Sequence, residues 1–255
     1  MKQKATRKDI NEKILSYWGY FYRHSLGLKD WRERASKRLN EEDIPKNEIV
    51  TWPDIKYFLR NRMVLDVGCG TGGFCIEARS EGAHVFGIDI DSKAIEICRL
   101  KASIHKIPLE RFQVSTSESL PFEENTFDFI YCNSVLEHVG DVKKTISEML
   151  RVTKQNGILF MKFPDYRSFY EAHYKIIWIP KMPRCLARLY LKIRGRPTEF
   201  INTINYITLL FIRKCLKNGS EIIKEKVIYG SSALEILHYR LLNIGRYIEL
   251  TARKK

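Results

Sequence analysis

A glycine-rich turn follows an apolar run in the first third of the chain. The segment VLDVGCGTGG, residues 64–73, is typical of a buried strand that turns directly into a helix. Glycines permit positive φ angles and keep Cβ atoms out of a ligand's path, while the first turn of the helix offers unpaired N–H groups. The segment therefore predicts a ligand site where a strand meets a helix.

Two acidic residues help to distinguish which nucleotide-like ligand the turn would bind. The pattern of Gly68, Gly70 and Gly73 alone also fits a dinucleotide site. Asp66 would repel a pyrophosphate but would favour a ligand that carries an ammonium and a sulfonium group. Asp89 ends the next β-rich run, about twenty residues further on, where a carboxylate can accept both hydroxyls of a ribose. The spacing thus favours an adenosine-type ligand with a positively charged tail.

Short β-rich runs alternate with helical runs around this turn. Such alternation predicts parallel strands with right-handed crossovers and helices on both faces of one sheet. A helical segment precedes it, from about residue 10 to residue 39, and an aromatic, basic segment interrupts it after Pro164. The predicted strands cover 63–67, 84–90, 112–115, 127–132, 157–163, 221–229 and 246–252. The predicted helices cover 71–79, 92–104, 141–152, 204–217 and 232–242.

Four motifs in a fixed order identify a family resemblance. They are VLDVGCGTGG, GIDID, LPFEENTFDFIYCNSVLEHV and EMLRVTKQNGILFM, and they span 63–163. Together they resemble the class I S-adenosylmethionine-dependent methyltransferases. The resemblance implies S-adenosyl-L-methionine as cofactor, with S-adenosyl-L-homocysteine as product. The expected fold class is α/β: a Rossmann-like, doubly wound, mostly parallel seven-stranded sheet with an antiparallel last strand, plus a helical N-terminal extension and a helical lid insert.

The resemblance also implies roles for single residues. Asp66, Gly68 and Gly70 would surround the methionine moiety, and Asp89 would hold the ribose. The family often has an Asp-Ala pair at the positions of Thr116 and Ser117, so the adenine contact would come here from the backbone N–H of Ser117. The expected cofactor-binding residues are Asp66, Gly68, Cys69, Gly70, Asp89, Ile90, Ser117, Glu118, Asn133 and Ser134.

The acceptor site is expected to involve residues outside these motifs. Residues 1–50 are interpreted as a helical extension or lid, and 51–255 as the methyltransferase domain with a substrate insert at about 165–200. Transfer to a hydroxyl group needs a general base, and His138 is the catalytic prediction because it follows the strand that faces the donor. The predicted substrate-binding residues are Trp18, Tyr22, His24, His173, Tyr174 and Trp178.

Charge indicates the kind of partner. The net charge of +14 favours an anionic partner, and no acidic residue occurs from Ala172 to Arg196. Within that stretch a basic amphipathic helix is predicted, suited to an anionic membrane or substrate; a solvated basic face above a core-facing apolar stripe is the alternative. Its cations are Lys181, Arg184, Arg188 and Lys192, and its apolar residues are Met182, Leu186, Leu189 and Ile193.

Several function classes are disfavoured. The six cysteines lack metal-ligand spacing, so neither a metal site nor a disulfide framework is expected. The first residues lack the apolar core of a signal peptide, and no run is long enough to span a bilayer. A cytoplasmic protein is predicted, with peripheral membrane contact left open.

The leading prediction is methyl transfer to a small-molecule or lipid-linked acceptor, at a hydroxyl group. An RNA methyltransferase is the alternative that the charge permits, although no RNA-binding module and no Asp-Pro-Pro-Tyr tetrapeptide is found, so nucleic acid is the less favoured partner. A noncatalytic cofactor-binding scaffold is a third reading. Intact Asp66, Asp89 and glycines argue against it, and the oligomeric state stays open.

Overall fold

A seven-stranded sheet forms the centre of the protein. The computed structural model describes residues 6–40, 59–230 and 244–255, with positions 236, 239, 240 and 242 between the last two ranges. The sheet strands are β1 (Met63–Val67), β2 (His84–Asp89), β3 (Phe112–Val114), β4 (Phe127–Asn133), β5 (Thr153–Pro164), β8 (Ser220–Ile228) and β9 (Tyr247–Lys254). A separate pair consists of β6 (Tyr170–Glu171) and β7 (Ile176–Ile177).

The strand order is β3-β2-β1-β4-β5-β9-β8. Neighbours from β3 to β5 run parallel, whereas β9 lies antiparallel to both β5 and β8. The predicted mostly parallel sheet with an antiparallel last strand is therefore confirmed. Because β1 pairs with β2 on one side and β4 on the other, the chain reverses direction across the sheet at β1, and a crevice opens there at the carboxyl ends of the strands.

Helices cover both faces of this sheet. Asp91 and Asp141 begin two of them by accepting backbone N–H groups, and Thr6 and Asp9 form a capping box at the first. Among the helices that the structure describes, none combines the length and apolar composition that a bilayer crossing requires. The helices are α1 (Arg7–Tyr20), α2 (Trp31–Lys37), α3 (Gly73–Ser80), α4 (Ser92–Ile104), α5 (Val142–Val152), α6 (Arg184–Ile193) and α7 (Leu209–Leu216).

The predicted boundaries differ most after β5. The helix predicted over 204–217 is shorter, because Thr208 accepts the Phe211 N–H and begins α7 only at Leu209. Most of the helix predicted over 232–242 lies outside the described residues. At the other end of the chain, α1 continues through one π-helical turn, Phe21–Ser25, and packs against α4 through Ile10, Ile14 and Ile97.

The predicted amphipathic helix is present as α6, but its orientation corrects the prediction. Its buried residues are Ala187 and Leu191. The predicted apolar residues Leu186, Leu189 and Ile193 are instead 54%, 56% and 74% exposed. The Arg184 guanidinium points inward and donates to the main-chain carbonyls of residues 201 and 204. The outward face of α6 is therefore apolar as well as basic.

Candidate functional site

The glycine turn after β1 requires its glycines. Gly68 has a φ of +72°, and a Cβ placed there would lie 2.3 Å from a methyl carbon of Val135. Gly70 has a φ of +52°. The Cys69 N–H donates to the Ile88 carbonyl at 2.8 Å, and the Gly70 N–H donates to an Asp89 carboxylate oxygen at 2.8 Å. The turn is thus bonded to the end of the neighbouring strand β2.

Asp89 lies at the centre of this arrangement. Its second carboxylate oxygen accepts the Asp91 N–H, also at 2.8 Å. Burial raises the pKa of Asp89, and the hydrogen bonds from the Asp91 and Gly70 N–H groups oppose that rise. The two N–H donors fix the carboxylate at the end of β2, and the remaining lone pairs of its oxygens can accept ligand hydroxyls.

Two cavities meet at this edge of the sheet. One, the glycine-loop cavity, has a volume of about 290 Å³, and the other, the strand-end cavity, about 240 Å³. Gly68, Asp89 and Ser134 line both of them. The other predicted cofactor residues divide between the two: Asp66, Cys69, Gly70 and Asn133 line the glycine-loop cavity, and Ile90, Ser117 and Glu118 line the strand-end cavity. The structure therefore brings all of them together.

The ends of this double cavity differ in chemistry. Asp66, only 3% exposed, brings a carboxylate to the glycine-loop cavity and accepts the Cys75 thiol at 3.4 Å. At the strand-end cavity, Ile90 is exposed and offers an apolar surface, while the Ser117 hydroxyl contacts Thr145 at 3.1 Å. An acid suits a cationic group and an apolar surface suits a purine, so the residues present fit S-adenosylmethionine and would repel a pyrophosphate.

The N-terminal helix closes over the glycine-loop cavity. The Trp18 indole donates to Thr71 at 3.2 Å, and the Tyr17 hydroxyl donates to Asp91 at 2.9 Å. Of the predicted acceptor residues, Trp18 lines this cavity, and Tyr22 stacks on Trp18 at 5.7 Å between ring centroids. Arg38 lies 4.1 Å above the Trp18 ring and donates to the Tyr22 hydroxyl.

Sequence reasoning missed several residues that line the glycine-loop cavity, among them Tyr17, Arg38 and Tyr131. The sequence could have indicated Tyr17 as a lining residue, since it adjoins the predicted Trp18 on the same helix. Nothing in the sequence indicated Arg38, because it reaches the cavity only after the chain reverses between α1 and α2. Tyr131 precedes the recognised strand end at Asn133, whose side-chain amide donates to the Tyr131 hydroxyl at 3.0 Å.

Other predicted acceptor residues lie elsewhere. Tyr174 and Trp178 are 0% and 1% exposed, and both belong to the main hydrophobic core. His24 is exposed and packs beside Tyr20. The prediction that Tyr174 and Trp178 wall an acceptor pocket is corrected accordingly: the segment after β5 uses these rings to fill the core. Burying these large aromatic surfaces stabilises the fold.

His138 and His173, both half-buried, meet in one cluster. Their Nε2 atoms lie 3.3 Å apart, and His173 Nδ1 lies 2.9 Å from a carboxylate oxygen of Glu171. Burial lowers the pKa of His138 to about 3, and His173 adds to this effect. Burial opposes protonation of His173 too, but the hydrogen bond and charge of Glu171 outweigh it and raise the pKa of His173. His138 is therefore a neutral and weakly basic imidazole, which suits a general base poorly.

Glu137 completes the cluster. It is fully buried, and one of its oxygens lies 3.8 Å from His173 Nε2. Burial raises the pKa of Glu137 to about 7, while the neighbouring His173 opposes that rise. The main chain holds the residue in place, because its carbonyl accepts the Asn205 N–H at 2.6 Å.

A glycine turn at the switch point, an acid ending the neighbouring strand and a double cavity between them define a nucleotide-binding α/β domain. Residues 65–161 match the family model for a methyltransferase domain. Over these residues the chain resembles the class I S-adenosylmethionine-dependent methyltransferases, and S-adenosylmethionine is the cofactor that this resemblance implies.

Known proteins are similar over this same region. An uncharacterized methyltransferase of Bacillus subtilis, YcgJ, is 35% identical over 94 residues, which cover 37% of each chain. A ubiquinone biosynthesis O-methyltransferase of Pelagibacter ubique is 36% identical over 129 residues, 48% of this chain and 52% of the relative. The matched region thus spans about half or less of these curated relatives.

A solved structure resembles more of the chain. The PH0226 protein of Pyrococcus horikoshii superposes with a TM-score of 0.59 over 94% of this chain and 99% of its own, at 20% identity. At that identity the likeness shows the fold alone. The fold therefore extends well beyond the matched motifs, to the antiparallel strands and the segments that flank the domain.

Proposed function

We propose that the chain transfers the methyl group of S-adenosylmethionine to a hydroxyl group of a small-molecule or lipid-linked acceptor. One observation supports the proposal most strongly. Two cavities share Gly68, Asp89 and Ser134, and one of them extends to the carboxylate of Asp66 while the other extends to the apolar surface of Ile90. Cofactor chemistry would supply the reactive methyl group, while the protein would position donor and acceptor and exclude water.

The lining residues would divide that work. Asp66 would hold the ammonium group, and Asp89 would accept the ribose hydroxyls. The backbone at Ser117 would contact the adenine edge. Asn133 and Ser134 would lie beside the donor, because they end β4 at the crevice. Trp18 and Arg38 would close the glycine-loop cavity from above and keep water from it.

The class of acceptor has two supports. First, several curated relatives are named as O-methyltransferases of ubiquinone biosynthesis, which favours a hydroxyl acceptor. Second, α6 presents Leu186, Leu189 and Ile193 to solvent beside the exposed cations Arg188 and Lys192. A helix of this kind suits the interface of an anionic membrane, where a lipid-linked acceptor would be held. We propose that the protein binds such a membrane peripherally.

The experiment is a transfer assay with methyl-labelled S-adenosylmethionine and cell extract separated into lipid, polar-metabolite and RNA fractions. We expect label in the lipid or polar fraction, and we expect it to resist mild alkali, because an ether withstands conditions that hydrolyse a methyl ester. The Gly68→Val variant is the control, since a valine there would clash with Val135 and displace the turn. Label confined to RNA, or label no higher than in the control, would contradict the proposal.

A further inference from the structure

We infer that Glu137, His138 and His173 form a binding site for a zinc-type divalent metal ion. Glu137 and His138 lie in the loop after β4, and His173 lies in the turn between β6 and β7. One possible ligand atom from each residue lies within 4.8 Å of the others. Two imidazoles and one carboxylate are a frequent ligand set of zinc sites that keep a fourth position open.

The distances suit a tetrahedral ion. Zinc lies about 2.0–2.1 Å from each imidazole nitrogen, so tetrahedral ligation places two such nitrogens about 3.3–3.4 Å apart. The Nε2 atoms of His138 and His173 are 3.3 Å apart. The distance from His173 Nε2 to Glu137 Oε1 is 3.8 Å, which a small rotation of the carboxylate shortens. An octahedral ion would hold neighbouring ligands closer together, at about 2.9–3.0 Å.

Glu171 orients His173 for this role. One oxygen of Glu171 lies 2.9 Å from His173 Nδ1, and the other accepts the Tyr174 N–H at 2.6 Å. With Nδ1 held as the donor to Glu171, Nε2 of the neutral ring points its lone pair at the cluster. A carboxylate that holds the far nitrogen of a histidine ligand is a common feature of zinc sites.

Glu137 supplies the independent observation. Its side chain is 0% exposed, and neither carboxylate oxygen has a hydrogen-bond partner among the described residues. Burying a carboxylate without a donor is unfavourable, and a bound cation is one of the few arrangements that would compensate it. The same ion would also remove the lone-pair repulsion between the facing Nε2 atoms of His138 and His173, because each atom could then direct its lone pair at the metal.

The donor set selects among cations. Magnesium and calcium prefer six or more oxygen ligands, whereas imidazole favours zinc and its transition-metal neighbours. His138 also lines the strand-end cavity beside Asp89 and Ser134. An acceptor hydroxyl that took the open fourth position would lose its proton more readily. That use of the ion rests on the proposed function, whereas ion binding itself does not.

The test measures binding of Zn²⁺ and Co²⁺ to the untagged full chain in the absence of any methyl donor. We expect one tightly bound Zn²⁺ per chain by equilibrium dialysis and elemental analysis, and no comparable binding of Mg²⁺. His173→Gln and His138→Gln should abolish stoichiometric binding. Glu171→Gln should lower the affinity by about 10- to 100-fold, since it removes only the orienting carboxylate. His84→Gln, an exposed histidine at the start of β2, is the matched control and should bind like the parent.

Co²⁺ added to the parent protein gives a second measurement that needs no variant. Intense visible absorption, typical of tetrahedral Co²⁺, would support the site, and the weak absorption of octahedral Co²⁺ would overturn it. Absence of stoichiometric Zn²⁺ binding, or binding that survives both histidine substitutions in folded protein, would also overturn it. Because none of these measurements uses S-adenosylmethionine, a failed metal site and a failed methyl-transfer assay are distinguishable.

Discussion

Two carboxylates at the same edge of the sheet, the half-buried Asp89 and the fully buried Glu137, have opposite surroundings. Each oxygen of Asp89 accepts a backbone N–H, one from Gly70 and one from Asp91, so the main chain supplies hydrogen-bond donors to both carboxylate oxygens. Neither oxygen of Glu137 has a hydrogen-bond partner among the described residues. The glycine-turn side is thus pre-organised by the main chain, whereas the side that faces the insert depends on side chains, with His173 Nε2 3.8 Å from Glu137.

The two regions are therefore built differently: one from a local turn of the main chain, the other from residues that are distant in the sequence. A turn built from glycines and backbone hydrogen bonds keeps its shape without a ligand, because its geometry is local. The insert brings distant residues together by burying aromatic rings such as Tyr174 and Trp178. Changes in the insert should therefore affect stability first, and changes in the turn should affect ligand affinity first.

The largest expected effect is on stability, from Trp178→Ala. The ring is almost fully buried in the main core, so its removal should lower the free energy of unfolding by about 3–5 kcal/mol. Trp18→Ala is the matched control and should cost less, because Trp18 is only half-buried. Urea denaturation followed by circular dichroism measures both. If Trp178→Ala leaves stability intact but impairs acceptor turnover, the ring belongs to a pocket wall after all.

The second effect is on affinity, from Gly68→Val. A branched side chain at a φ of +72°, aimed at Val135, adds strain of about 1–3 kcal/mol and displaces the turn. Binding of S-adenosylhomocysteine should weaken by about 10- to 100-fold. Gly195→Val is the control, since Gly195 also has a positive φ of +63° but nothing lies within 4 Å of its added Cβ. Equal loss of affinity in both variants would mean that the turn is not specifically required.

A third effect, on membrane binding, concerns the outward face of α6. Arg188→Glu with Lys192→Glu should weaken binding to phosphatidylserine-containing vesicles by at least about 2 kcal/mol, because each cation near an anionic surface contributes about 1 kcal/mol. Arg184 is left unchanged, since it donates to carbonyl oxygens. Reversal of the exposed Lys93 and Lys106 is the control. Cosedimentation at low salt that is equal for both double variants would remove the membrane from the proposal.

The sequence predicted which residues gather around the glycine turn, for a local reason. The strand, turn and acid of residues 64–89 carry their geometry in adjacent residues, and the residues expected there line the double cavity. The same reasoning failed for α6. Helical periodicity shows that apolar residues line one side of the helix, but it does not show which side packs against the core. It also gave no sign of the cluster at Glu137, since His138 and His173 stand 35 positions apart and meet only through the β6–β7 turn.

The central claim is that the glycine turn and Asp89 bind S-adenosylmethionine rather than a dinucleotide. Calorimetry of S-adenosylhomocysteine binding at neutral pH, with the parent and Asp89→Ala, tests it most directly. We expect the substitution to weaken binding by about 1–3 kcal/mol, because the ribose hydroxyls lose their charged acceptor. We also expect no measurable binding of NAD, since Asp66 would face its pyrophosphate. Unchanged affinity in Asp89→Ala, or NAD that competes at physiological salt, would contradict the account.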